Sequence, residues 1–412
     1  MVFLKKTMYK KTGSYRWDKN KSFHRRDDTS CRQLDEKLIE LKEKWLFKNK
    51  KELIKNFEKN DITLNSNGFV DNFVSVGSYN WALQSTPDKP VIIVPGIPNY
   101  IKENLLCQKL KKSDVQRVCD ENQYYMSRHP MEPMFQAVLL CTPEYDFSSV
   151  DLITDRINLR KLFEFVEGNS KDSFRIDIQM NENDTLMFIR NDENVILPCQ
   201  DYSIDFKNKF TENGSPEAGS YWNIVTYMLG SIRVMCQAQV DCVEKNSCLG
   251  QAELLPKKTE PIAFDESSKL MLIEGGDFDN QKYEKFIELT TKGIYDNNFE
   301  FPTNKWSHLL FFNINLMVFG WHERGVLKKI EKISFEEVSK RCDRKKEDYQ
   351  QSLGKLCSLI TMIKEKIKSC AEHKSGFAVV FDSNNDKQSL ELFTVCNNFD
   401  VLTPGLKMRV FK

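Results

Sequence analysis

"RVMCQAQVDCVEK" (233–245) sets an acid, Asp241, inside an apolar run, two residues after Gln239. Side chains two apart on a strand share a face. Gln239 and Asp241 are therefore expected to point one way and Val240 the other, into the core. Further on, "IELTTK" (287–292) repeats the pattern, with Glu288, Thr290 and Lys292 on one face and Leu289 on the other. Acids gathered on neighbouring buried strands are costly unless something neutralises them. Hard divalent cations, Mg²⁺ or Mn²⁺, prefer carboxylate oxygens and are natural partners. Acid-x-Asp on one strand followed by Glu-x-Lys on another is a nuclease constellation. In it the acids hold metal, the metal activates water, and the lysine offsets charge at phosphorus. Taken alone, these short patterns read by default as a solvated strand face.

The surroundings suit a globular α+β protein, a mixed central sheet flanked by helices. The 412 residues carry a net charge of +1, and 40% are hydrophobic, enough for one large domain. No run of about 18 apolar residues exists, so no membrane span is expected. "LLFFNINLMVFGW" (309–321) reads as a buried strand. The N-terminus turns basic before a signal-peptide core forms, and the 12 cysteines form no CxxC pair. Reduced thiols and a nuclear or cytosolic location follow as expectations.

Residues 1–30 read as a basic, solvated tail, with an import signal or an arm on RNA as alternatives. One domain is expected over 31–412. Helical spacing of Leu34, Leu38, Leu41, Trp45, Ile54 and Phe57 predicts one or two helices over 31–60. "KPVIIVPGIPNYI" (89–101) predicts a strand and a turn. "DLITDRINLRKLFEFVEG" (151–168) predicts a helix capped by Gly168. "SFRIDIQMN" and "DTLMFIRND" predict a hairpin turning at 181–184. Strands are expected in "YWNIVTYMLG", "IRVMCQAQVDC", "KLMLIEGG" and "KFIELTTK", and a pair in 309–334. A single long helix is expected over 334–373, striped by Val338, Cys342, Leu353, Leu356, Ile360, Ile363 and Ile367, and a hairpin after it.

In this order, the pieces resemble the DXO/RAI-type family of RNA decapping nucleases, which have a PD-(D/E)XK-like core. The resemblance covers about residues 90–335. It rests on the collinear set "TDRINLRKLF", "FRIDIQMNENDTLMFIRND", "DYSID", "QVDC", "ELTTK" and "HLLFFNINLMVFGWHERG". It implies that Arg156 contacts an RNA 5′ phosphate, a task that suits a guanidinium fork, with Arg160 and His308 also on the RNA side. It implies metal ligands at Asp205, Asp241, Glu288 and the Leu289 carbonyl. It also implies RNA 5′ ends as ligand and a protein partner such as an exoribonuclease.

The departures bear on activity. Asp205 and Gln239 stand where the family has Glu, Thr290 where it has the catalytic Lys, His308 at its Gln and His322 at an Arg. Three carboxylates remain of four. Loss of one electrostatic partner costs around 10²–10³ in rate. A weakened or silent nuclease that holds or protects RNA 5′ ends, or scaffolds a partner, is expected. A working decapping nuclease and a pure protein-interaction module are the alternatives. The first alternative uses Lys292 as a migrated catalytic lysine; a solvated strand-end lysine is the plainer reading of that residue. His24, His129, His308, His322 and His373 show no metal-ligand spacing, and Trp306 and Trp321 read as core.

Overall fold

The computed structural model describes residues 44–102, 109–244, 260–263, 268–276, 285–294, 301, 304–370, 376–396 and 400–411. The chain divides into two units, Met1–Trp45 and Leu46–Lys412. Of the first, only Lys44 and Trp45 are described. The basic tail and Leu34, Leu38 and Leu41 lie outside the described residues, as do His24 and His373.

Among the described residues of the second unit, twelve strands form one mixed sheet. Its order is Lys50–Phe57, Leu390–Val395, Phe377–Phe381, Phe174–Met180, Leu186–Asn191, Leu152–Asp155, Ile232–Val240, Ala218–Leu229, Val70–Ala82, Val91–Val94, Met271–Glu274 and Ile262–Ala263. A second sheet runs Thr211–Glu212, Tyr100–Ile101, Cys242–Val243, Phe286–Gly293, Leu316–Glu323 and Val326–Ser334. A two-stranded ribbon pairs Val115–Val118 with Ile196–Cys199. The chain is α+β, as its patterning predicts, with two large sheets where one was expected. No helix among the described residues is long and apolar enough to cross a membrane.

The period of two decides which side chains meet which core. Along Ile232–Val240, Val234, Cys236, Ala238 and Val240 join one core, and Met235 joins the core of the opposite face. The first core is covered by the Arg156–Glu167 helix, through Leu159, Leu162, Phe163 and Val166, and by Lys346–Ser369, through Leu353, Leu356, Ile360, Ile363 and Ile367. The other is covered by Glu132–Cys141. Burial on both faces is what a central sheet with parallel neighbours requires. In the second sheet, Ile287 and Leu289 pack against Phe206 and Phe210 of the Ser203–Phe210 helix, while Phe286 faces the first core.

Several expectations change. Ile54 and Phe57 lie on a strand, because Lys50–Phe57 pairs antiparallel with Leu390–Val395. That partner is far along the chain and invisible to local periodicity. "DYSID", for which no element was expected, leads into the Ser203–Phe210 helix. Leu309 and Leu310 end the Lys305–Leu310 helix, and the strand begins at Leu316. The long C-terminal helix is two, Phe335–Arg341 and Lys346–Ser369, broken where Asp343 takes a positive φ of 50°. The 13-residue Val70–Ala82 strand and the final Pro404–Val410 helix were missed. The C-terminal hairpin is part of the large sheet, pairing with Phe174–Met180.

The Lys346–Ser369 helix crosses the 64–68 segment with backbones touching. Gly68 N–H donates to the Gln350 carbonyl at 2.8 Å. A Cβ on Gly354 would overlap the Ser66 carbonyl oxygen. Alanine is favoured over glycine in a helix interior by about 1 kcal/mol, but overpacking costs about 1–3 kcal/mol. The rigid backbone oxygen makes the second effect win. Gly354→Ala is expected to lower stability by about 1–3 kcal/mol, read by urea unfolding.

Candidate functional site

At Asp241 a single residue separates a strand of the first sheet from a strand of the second. Ile232–Val240 ends, Asp241 follows, and Cys242–Val243 pairs with Ile287 and Phe286 of the next sheet. This junction brings "QVDC" beside "IELTTK". Asp241 Oδ2 accepts from Leu289 N–H at 2.9 Å, tying the acid to the neighbouring strand. Its Oδ1 takes a short ion pair from Lys207 Nζ, which comes from the Ser203–Phe210 helix.

Glu288 stands in the same face pattern, 6% exposed. Its Oε1 pairs with Lys305 Nζ at 3.0 Å and its Oε2 meets His308 Nε2 at 2.9 Å. Lys305 and His308 lie three apart on the Lys305–Leu310 helix, a spacing that puts both on one face. Burial pushes the Glu288 carboxyl up, but His308, Lys305 and Lys207 more than offset this and hold it well below the usual range.

His308 is read from its neighbours. Arg160 Nη1 lies 3.3 Å from Nδ1 and has only hydrogens to give, so Nδ1 is the acceptor and Nε2–H donates to Glu288. The ring is neutral: burial and the Arg156 charge bring its pKa down to about 3, against the pull of Glu288.

Arg156 and Arg160 come from the helix that Asp155 caps, its Oδ1 accepting from Ile157 N–H at 2.7 Å. Arg156 is 5% exposed, with Nη2 donating to the Gln239 carbonyl at 3.1 Å and the guanidinium 5.4 Å from the Phe312 ring. Its Nε and Nη1 find no hydrogen-bond partner among the described residues. Two unmet donors on a buried cation are expensive. Farther along the same helix opens a cavity of about 600 Å³. Arg160, Lys161, Lys171, Lys292 and Arg344 line it, against Glu164, Glu167 and Asp172.

These residues do not fit a divalent cation. All four oxygens of Asp241 and Glu288 already accept from the chain's own donors: Lys207, Leu289 N–H, Lys305 and His308. Asp205 does not join them. Two helix positions apart are turned by about 200°, so Lys207 facing Asp241 sends Asp205 away, to Lys111 N–H at 2.7 Å and Lys209 Nζ at 3.2 Å. Among the described residues, no group of three or more His, Cys, Asp or Glu could hold a metal ion.

Other expected positions sort as follows. Gln239 meets Arg156 through its carbonyl, and what Leu289 gives the site is its N–H. Thr290 is half-buried on the Glu288 strand. Lys292 lines the cavity; Lys305 is the lysine that pairs with Glu288. His322 packs edge-on against Tyr202 and its Nδ1 accepts from Gly325 N–H at 3.4 Å, a structural role. Trp306 and Trp321 are core, their indole N–H groups donating to Ser339 and Glu331. Lys207 and Lys305 were not foreseen. The Lys305–His308 spacing was a usable signal, whereas nothing in "DYSIDFKNKF" marks Lys207.

A family model described as a domain of unknown function, DUF8563, matches residues 51–411. No curated protein matches the sequence. Solved structures of Rai1 share the fold. Scheffersomyces stipitis Rai1 in complex with 3′-NADP⁺ and calcium ion is 14% identical, with a TM-score of 0.56, covering 86% of this chain and 97% of that one. S. pombe Rai1 in complex with 3′-FADP is 14% identical at TM-score 0.53, covering 83% and 99%. Candida albicans Rai1 in complex with pU5-Mn²⁺ is 12% identical at TM-score 0.53, covering 86% and 98%. This is the fold that the resemblance to DXO/RAI-type proteins implies.

The His308 shift has a sign that can be measured. An unfolded histidine titrates near pH 6.5, whereas folded His308 does so at about 3. Between those values only the unfolded chain takes the proton, so stability falls as pH drops through that window. Asp120, raised by burial to about 6, acts oppositely but is common to both proteins. His308→Gln keeps a donor for Glu288 and an acceptor for Arg160. It is expected to lose less stability than the parent between about pH 6.5 and 4.5 by urea unfolding. Equal losses would show that His308 is not held neutral.

Proposed function

The chain belongs to the family described as a domain of unknown function, DUF8563, and has the Rai1 fold, and on that premise we propose that it is an RNA 5′-end-binding protein whose nuclease chemistry has been lost. The observation that carries this reading is the occupation of both remaining acids by internal ammonium groups, Lys207 on Asp241 and Lys305 on Glu288. A nuclease of this plan needs those carboxylates free to hold metal, and a lysine or metal free to meet the phosphate.

Three features support RNA as the ligand. The cavity beside the site carries five cationic side chains against three carboxylates among its described lining residues. Buried Arg156 keeps two unmet N–H donors, the kind of group that a phosphate oxygen satisfies. The like-folded Candida albicans Rai1 was crystallised with pU5 and Mn²⁺. In this reading the protein holds or shields a 5′ end and presents it to a partner such as an exoribonuclease, in the nucleus or cytosol.

A single-turnover assay on 5′-monophosphate, triphosphate and NAD-capped RNA, with Mg²⁺ or Mn²⁺, tests the chemistry. No turnover above a Glu288→Ala control is expected. Activity that Glu288→Ala abolishes would instead establish a working enzyme. For binding, Lys171→Ala is expected to weaken RNA uniformly across sequences and to lower the slope of log affinity against log salt by about 1. An unchanged slope would remove the cavity from the RNA path.

A further inference from the structure

The fold implies divalent cations, and the side chains at that place contradict it. The two acids of the junction come from different strands, and each is met by a lysine from a different helix. Lys207 also acts on Glu288 through space, so the two ammonium groups serve one pair of carboxylates together. Two carboxylates 7–8% exposed need compensating positive charge to stay ionised. Two ammonium groups supply one positive charge per acid. Two divalent cations would supply twice that and would require further anionic ligands. Asp205 instead accepts from the Lys111 backbone N–H and pairs with Lys209, and Gln239 is neutral.

We propose that Lys207 and Lys305 are fixed substitutes for the divalent cations, so that the protein folds around these acids, and takes a 5′-phosphorylated RNA, without metal. The first half rests on the ion pairs alone. The second rests on the RNA-binding reading above. No bond is made or broken at the site; a phosphate oxygen would accept from N–H groups already in place.

The experiment uses the full chain. Mn²⁺ uptake is followed by the fall of the free-ion spin-resonance signal, and thermal unfolding is recorded with EDTA and with Mn²⁺. The parent protein is expected to take up no Mn²⁺ that Glu288→Gln abolishes, and its Tm is expected to be the same in both solutions. Lys207→Met with Lys305→Met leaves both carboxylates without their ammonium groups. It is expected to be less stable in EDTA, to bind Mn²⁺ and to be stabilised by it. Glu288-dependent Mn²⁺ uptake by the parent overturns the proposal, and that arm stands even if the double variant fails to fold. A folded double variant that takes up no Mn²⁺ overturns it as well. Affinity of the parent for 5′-monophosphorylated oligoribonucleotide is expected to be unchanged by EDTA. A tenfold or greater loss in EDTA overturns the metal-free site, whereas no RNA binding in either solution overturns the RNA reading and leaves the cation result intact.

Discussion

Two buried carboxylates at a sheet junction have to be neutralised, and the local architecture answers to that need. Removing one partner of a buried ion pair typically costs about 3–5 kcal/mol, because the other is left charged and dry. Glu288 and Asp241 thus need the helices at 203–210 and 305–310 to be docked before their charge is affordable. The Lys305–Leu310 helix then fixes more than one acid. It buries Trp306 and Leu309 in the core, and His308 links Glu288 to Arg160 on a third helix.

The same constraint explains the electrostatics around it. His308 faces a guanidinium through Nδ1 and a carboxylate through Nε2, so its hydrogens are assigned by its partners and a second proton has no place. Arg156 lies beside this set, held by the Gln239 carbonyl and Phe312. Its Nε and Nη1, like Arg160 Nε, meet no hydrogen-bond partner among the described residues. The carboxylates at this junction are held by the chain's own ammonium groups, Lys207 on Asp241 and Lys305 on Glu288.

Much of the fold was legible from period alone. The hairpin 174–191, the Arg156–Glu167 helix with its Gly168 cap, and the strands at 218–240 and 286–293 follow from alternation, helical spacing and turn residues. The failures have physical causes. Lys50–Phe57 has helical spacing of apolar residues but pairs with a strand over 330 residues away in sequence; long-range pairing overrode the local pattern. The break at Asp343 carries no proline or glycine to announce it.

By itself the sequence determined that the protein is α+β, that Gln239 and Thr290 carry no charge, and that Glu288 lies on a strand, with Asp241 directly after the end of another. These are properties of residue type and period, which the chain states locally. Tertiary structure alone decided which cations meet those acids. Asp205 and Lys207 are two residues apart on one helix and point opposite ways, so a motif match could not say which of them faces the site. Lys292 shares a strand with Glu288, yet Lys305 from a separate helix makes the pair. Charge compensation depends on distances between elements far apart in sequence, and only the packed sheets and helices fix those distances.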